Sequence, residues 1–413
     1  MIAGSTSGFL DQPLESIATA LVIGLLVMFA VLDMSVLGVS LVERVAYVLL
    51  YAGTVLAGFV IARTVGMDQA RWALVAGWFL VVSLWLLPTL SQTITYPTYI
   101  LADLLTVAFP AVLVLASGHR LFSDQCLRWL AIGLFVAACL APLVGVERNR
   151  FEPPSTLLMA LVWSAILRVD RTGRRLALVA AATILLVLAF MSGQRTALVV
   201  WLLGAGFVTW SSLRAGAVRG IAVLFAVALV AAVSVSTVRE QALELISGHR
   251  VGSIARGEQD ESLLARFNEA SDVLSTFRRE GSTLNYLVGF GHGATYRPSE
   301  SYLTRNVTAE GRVHNVHIGP LMIFFRYGFV GLLVYAWVIK TVVSELLLVS
   351  QVSRSGAGFA AVAFPVATGG YLLEGLMFNV LVDPLFSFAL AGLLSGVMAR
   401  REVPGALAVR GSA

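Results

Sequence analysis

The chain has 413 residues, of which 58% are hydrophobic and 13% charged, with a net charge of +5. A soluble domain carries roughly a quarter charged residues, so this composition excludes a chain bathed mostly in water and predicts a polytopic membrane protein. The positive balance calls for no nucleic-acid partner, since it is mostly the cytoplasmic bias of basic residues that membrane topology requires.

Apolar stretches able to cross a hydrocarbon core of ~30 Å occur at Ile17–Leu32, Ala46–Val60, Trp72–Leu90, Tyr99–Leu115, Trp129–Leu143, Leu157–Ile166, Leu176–Met191, Ala197–Trp210, Ile221–Val235, Phe329–Val349, Phe359–Met377 and Leu385–Met398. They predict an all-α polytopic fold with about 12 transmembrane helices. The first sixteen residues hold no Lys or Arg, and no small-residue cleavage site follows the first run. An uncleaved first helix is therefore expected, rather than a signal peptide or a soluble N-terminal domain. With both termini on one side, the short loops of that side collect fifteen Lys and Arg against four on the other, so the termini are expected in the cytoplasm. The long polar segment Ser236–Arg312 is then exported. The predicted organisation is a membrane domain over 1–235 (spans 1–9), a periplasmic loop over 236–316, and a second membrane domain over 317–413 with a re-entry helix and spans 10–12. Cys126 and Cys139 fall at or within the fifth span. Neither has metal-ligand spacing with a histidine, so no disulfide, metal or other cofactor is expected.

Polar residues break the pattern in three places. In "MSGQRTALVV", Arg195 occupies a short exported turn and opens a helix. It reads either as a snorkelling interfacial arginine or as an anion contact reinforced by the helix N-terminus. In "ESLLARFNEASDVLSTFRREG", Leu263, Phe267, Ala270, Leu274 and Phe277 recur at helical spacing, predicting an amphipathic helix in the exported loop that packs on the membrane domain. Arg266 lies at the edge of that stripe and points partly inward, Asn268, Asp272 and Thr276 lie on its far side, and Arg278 and Arg279 read as solvated. In "RVHNVHIGPLMIFFRYGFVG", His314 and His317 are spaced to share a face near the outer membrane surface, where either an anchoring or a proton-transfer role fits. Just upstream, "LVGFGHGATY" offers Gly289, Gly291 and Gly293, which let the backbone approach a neighbour closely.

Taken in order, "GQRTAL", "LLARFNEASDVL", "LVGFGHGATY" and "HNVHIGPLMIFFRYGFVG" resemble the O-antigen polymerase and ligase family of bacterial envelope enzymes; the resemblance spans roughly Met191 to Gly331. It implies a metal-independent glycosyltransferase of the bacterial inner membrane, facing the periplasm. The implied donor is an undecaprenyl diphosphate-linked oligosaccharide, and the acceptor is a glycan or lipid A core. By resemblance, Arg195 and Arg266 bind the diphosphate through forked, permanently charged donors; Arg326 is expected to face the cavity as a third anion contact, because an arginine facing lipid there is costly. His317 or His314 serves as the base for the acceptor hydroxyl, supported by Asn315, Gly291 and Gly293. The family's His-Asn pairing fits His314 with Asn315. Its distance to the following Gly-x-x-Gly fits His317 with Gly328 and Gly331, and His317 is preferred. The expected product is a polymerised exopolysaccharide, with a chain-length regulator as a further expected partner and ligation to lipid A core as the alternative. A flippase or transporter, for which Asp103 and Glu374 would be the in-span charges, and a non-catalytic scaffold are the readings from other classes.

Overall fold

The computed structural model describes residues 19–27, 82–83, 85–90, 96–116, 122–145, 155–169, 172–191, 261–299, 310–351, 359–376 and 383–401, with single positions at 78, 201, 204, 206 and 308. The predicted spans Ala46–Val60 and Ile221–Val235, most of Ala197–Trp210, the opening of the long loop and Arg195 lie outside these residues. Among the described residues the regular elements are helices. After a helical stretch at 19–27 come α1 (Leu86–Leu90), α2 (Pro97–Ala116), α3 (Asp124–Gly145), α4 (Thr156–Arg168), α5 (Thr172–Met191), α6 (Glu261–Glu280), α7 (Thr283–Val288), α8 (Gly319–Gln351), α9 (Phe359–Glu374) and α10 (Pro384–Arg401). Among the described residues one stretch, Gly319–Leu348 of α8, is long and apolar enough to cross a bilayer; Thr156–Arg168, Phe359–Glu374 and Leu385–Met398 are shorter apolar helices.

The larger core gathers around α4. Its 13 residues span only about 20 Å, and nearly all of them are buried. A helix apolar all round must be enclosed on every side, and α4 packs against α9, α5, α3 and α10. Ser155 starts it by accepting the Leu158 N–H on its hydroxyl at 3.2 Å. Away from this core, Trp129, Ile132, Val136 and Leu140 leave one face of α3 exposed, and Phe329, Leu333 and Trp337 do the same on α8. Apolar stripes of this length suit a helix whose outer surface meets lipid rather than water.

Helix α8 is broken at Gly328, whose φ of 63° and ψ of −158° are non-helical. A break there strips the preceding carbonyls of their usual partners four residues on. Two of them are recovered by the glycine run: Phe290 N–H donates to Phe325 O at 2.9 Å and Gly291 N–H to Arg326 O at 2.8 Å. The break falls one residue before the predicted start of the span at Phe329. A second, smaller core of Val273, Phe277, Phe290, Tyr296, Val316 and Phe325 lies under this junction.

The amphipathic helix exists as α6, but its inward face differs from the predicted one. Phe277 is buried as expected, whereas Phe267 is 65% exposed and Leu274 is also exposed. Glu269, Asp272, Val273 and Thr276 are buried instead. Hydrogen bonding decides this: Asp272 accepts from the Ser299 N–H at 3.0 Å, the Thr276 hydroxyl donates to Asp272 O at 3.0 Å, and Glu269 is met by the His317 segment. Once each polar group has a partner, burial no longer penalises that face. Arg278 and Arg279 are exposed, as expected.

Candidate functional site

The run 289–296 is the spine of the site, held down from four directions. Gly291 and Gly293 both have positive φ, and a Cβ on Gly291 would lie 2.6 Å from Trp85 O, one on Gly293 2.6 Å from Ile100 Cγ1. The close approach foreseen for these glycines is therefore made to α1 and α2 of the chain itself. The Thr89 hydroxyl donates to His292 O at 3.0 Å, and the buried His292 ring contacts Val82 O through Nε2 at 3.2 Å. Tyr296 and Val313 exchange both backbone hydrogen bonds, at 2.9 and 2.7 Å, in an isolated antiparallel bridge. That bridge fixes where the returning strand lies, and so delivers His314 and His317 to the spine. The Arg312 guanidinium reinforces it, donating to Thr295 Oγ1 and O and to the Glu280 carboxylate at the end of α6.

His314 enters a closed cluster. Its Nδ1 lies 3.0 Å from Ala294 O. A carbonyl only accepts, so Nδ1 carries the proton; Nε2 faces both Arg326 Nη2 at 3.0 Å and Asp103 Oδ1 at 3.3 Å, and in the neutral ring it accepts from the guanidinium. Arg326 is 3% exposed and donates from Nη1 to Asp103 Oδ1 at 2.6 Å and from Nη2 to His314 O at 3.2 Å. Asp103, equally buried, accepts the Gly293 N–H at 2.7 Å as well. The Tyr99 ring stacks on the imidazole with centroids 4.2 Å apart and planes 2° from parallel. Burial, and then the neighbouring guanidinium, push the His314 ring below the ordinary histidine value, so it is neutral at neutral pH. His292 is pushed the same way, chiefly by burial.

His317 stands differently. Glu269 Oε1 lies 2.8 Å from its Nδ1, and its backbone N–H donates to both carboxylate oxygens at 3.1 Å. A carboxylate accepts, so His317 Nδ1 is the donor of this pair, and Nε2 is the ring nitrogen that Glu269 does not hold. The side chain is 29% exposed. Arg266 sits one turn before Glu269 on α6, half-buried, and its charge is felt by Glu269 and Tyr296. The site thus brings Arg266, Glu269 and His317 together. Asn315 is half-buried beside them in sequence.

Of the residues expected from sequence, His314, His317, Arg266, Arg326, Asn315, Gly291 and Gly293 are all on or beside this spine, and Arg195 is outside the described residues. Arg326 faces inward as foreseen, yet its guanidinium is matched by Asp103. Glu269 went unnoticed in the sequence, although it lies three positions after Arg266 and so on the same face of the helix. Asp103 was noted as an in-span charge without its partner; that an intramembrane carboxylate and a lone arginine in another apolar segment should pair was the available signal.

Residues 179–336 match the O-antigen ligase family. The matched segment contains Arg195, α6 with Arg266 and Glu269, the glycine spine and both histidines. No curated protein matches the chain.

Proposed function

We propose, from the match of residues 179–336 to the O-antigen ligase family, that this chain transfers a glycan from an undecaprenyl diphosphate-linked donor to an acceptor sugar at the periplasmic face of the bacterial inner membrane. The observation that carries this reading is an imidazole held at Nδ1 by a carboxylate, with an arginine one helical turn before that carboxylate on the same helix. In the reaction, the acceptor hydroxyl gives its proton to His317 Nε2 while its oxygen bonds to the anomeric carbon. The bond from that carbon to the diphosphate breaks, and its electron pair leaves on the diphosphate oxygen. Arg266 and Arg195 stabilise the charge that develops there. A single displacement of this kind inverts the anomeric configuration. His314 and Arg326 take the bracing role, because both His314 nitrogens and both Arg326 Nη atoms bind Asp103, Ala294 or each other.

Polymerisation of repeat units is the leading product, and ligation to lipid A core is the second reading, favoured by the description of the matched family. Transport is disfavoured by the in-span carboxylates, since Asp103 is tied to Arg326 and Glu374 accepts from the Thr156 hydroxyl at 2.7 Å. Purified full-length protein supplied with an undecaprenyl diphosphate oligosaccharide decides among them. Longer lipid-linked chains indicate a polymerase, and product on lipid A core indicates a ligase. Intact donor with neither product, or passage of the donor across a liposome without bond cleavage, defeats the transferase reading.

A further inference from the structure

Glu269 is a carboxylate buried to 1% exposure in the middle of the α6 face that meets the glycine spine. A buried ion is retained only where donors satisfy it, and here they are unusually concentrated on one partner. Three contacts reach it from His317, two through the backbone N–H at 3.1 Å and one through Nδ1 at 2.8 Å, while the Tyr296 hydroxyl supplies another at 3.2 Å. One carboxylate therefore fixes both the main chain and the ring of the same histidine. A simple clip between α6 and the start of α8 would need only the backbone contact. Binding the ring as well prevents its rotation and sets which nitrogen carries the proton.

We propose that Glu269 is a positioning residue for the transfer reaction: it holds His317 as the Nδ1–H tautomer with Nε2 turned to the acceptor, and its charge stabilises the imidazolium formed when the acceptor proton arrives. This rests on the transferase reading above. Because Arg266 lies one turn earlier on the same helix, seating α6 also sets the diphosphate contact and the base together. A donor that draws on Arg266 then reinforces the orientation of His317. The charged and titratable groups on the elements packed here are Glu269 and Arg266 on α6, Tyr296 on the spine, His314 three residues upstream, Arg326 on α8 and Asp103 on α2.

The test is the pH–rate profile of transfer by full-length Glu269→Gln and Glu269→Asp in lipid nanodiscs. Glutamine keeps an acceptor for Nδ1 but removes the charge that favours the protonated ring. The expected result is a kcat lowered by about 10²-fold with a KM for the lipid-linked donor changed far less. The acid limb should move to lower pH by about one unit, and Glu269→Asp should recover part of the rate. A Glu269→Gln enzyme with the wild-type rate and profile overturns the proposal, as does a slow one whose acid limb has not moved and which Asp does not improve, for that is the mark of a clip alone. Should Glu269→Gln fail to fold, ¹⁵N-histidine NMR of the wild-type chain replaces it. The resonances lost in His317→Ala must then be those of a ring protonated at Nδ1, and an Nε2–H ring overturns the proposal. Wild-type protein without any transfer defeats the function itself and takes this proposal with it, whereas an active wild type beside an unaltered Glu269→Gln defeats the proposal alone.

Discussion

His314 and His317 lie three residues apart and carry the same ring, but the first has both nitrogens engaged and the second is held by one. The His314 ring is enclosed by Ala294 O, Arg326, Asp103 and the Tyr99 face. The His317 ring is gripped at Nδ1 by Glu269 and is partly exposed. A histidine with both nitrogens satisfied is a structural hydrogen-bonding unit, and one with a held Nδ1 and an unprotonated Nε2 is equipped to take a proton. The difference separates an enclosed cluster from a partly exposed ring, and the proposed function gives stability to the first and chemistry to the second, although the sequence treats both as members of one motif.

The sharpest way to break this contrast is His317→Ala. Transfer should fall by about 10²–10⁴-fold, measured as product formed from the lipid-linked donor, while the protein remains folded. A variant that keeps wild-type turnover would return the base to His314. Next in size is Arg326→Ala, which leaves Asp103 buried without its cation and should cost about 3–5 kcal/mol of stability. Thermal unfolding and folded yield in detergent read this directly, and a melting point unchanged from wild type would mean that the cluster is not the brace described.

The third expectation concerns pH. Burial holds His314 and His292 below the ordinary histidine value, so the folded protein binds fewer protons than the unfolded chain in mildly acid solution. Stability contributed by keeping these rings neutral is then fully present above the unfolded value of about 6.5 and is lost as the pH falls from there towards the folded-state value. Melting temperatures recorded from pH 8 to pH 5 should drop on the acid side, and the drop should be shallower in His314→Gln. An equally steep drop in that variant would remove His314 from the account. The smallest effect is reserved for Tyr99→Leu, which loses the ring stack on His314 and should cost about 0.5–1.5 kcal/mol with transfer nearly unchanged. A large loss of turnover there would place Tyr99 in contact with substrate.

Much of the fold could be read from the chain because lipid imposes a simple rule. Backbone groups must be satisfied within a helix, so apolar runs such as Tyr99–Leu115 and Leu176–Met191 emerge as α2 and α5 with ends shifted by a few residues. Gly328 was legible as part of a Gly-x-x-Gly, and the helix breaks there. The order of Arg266, the glycine run and the two histidines likewise pointed to the segment whose residues the fold brings together. Side-chain roles were not legible in the same way. Apolar periodicity on α6 pointed inward with Phe267 and Leu274, but the folded helix buries Glu269 and Asp272. Periodicity measures the cost of leaving a residue in water and is blind to a hydrogen-bond partner arriving from far along the chain.

The sequence by itself determined a helical, lipid-adapted chain and the set of arginines and histidines available for chemistry, since composition and spacing act locally. Tertiary structure alone decided that the His314 ring is enclosed while the His317 ring is held at Nδ1 and partly exposed. That choice is made by Asp103, Arg326 and Glu269, carboxylates and a guanidinium whose burial is tolerable only because distant segments bring their partners within hydrogen-bonding distance.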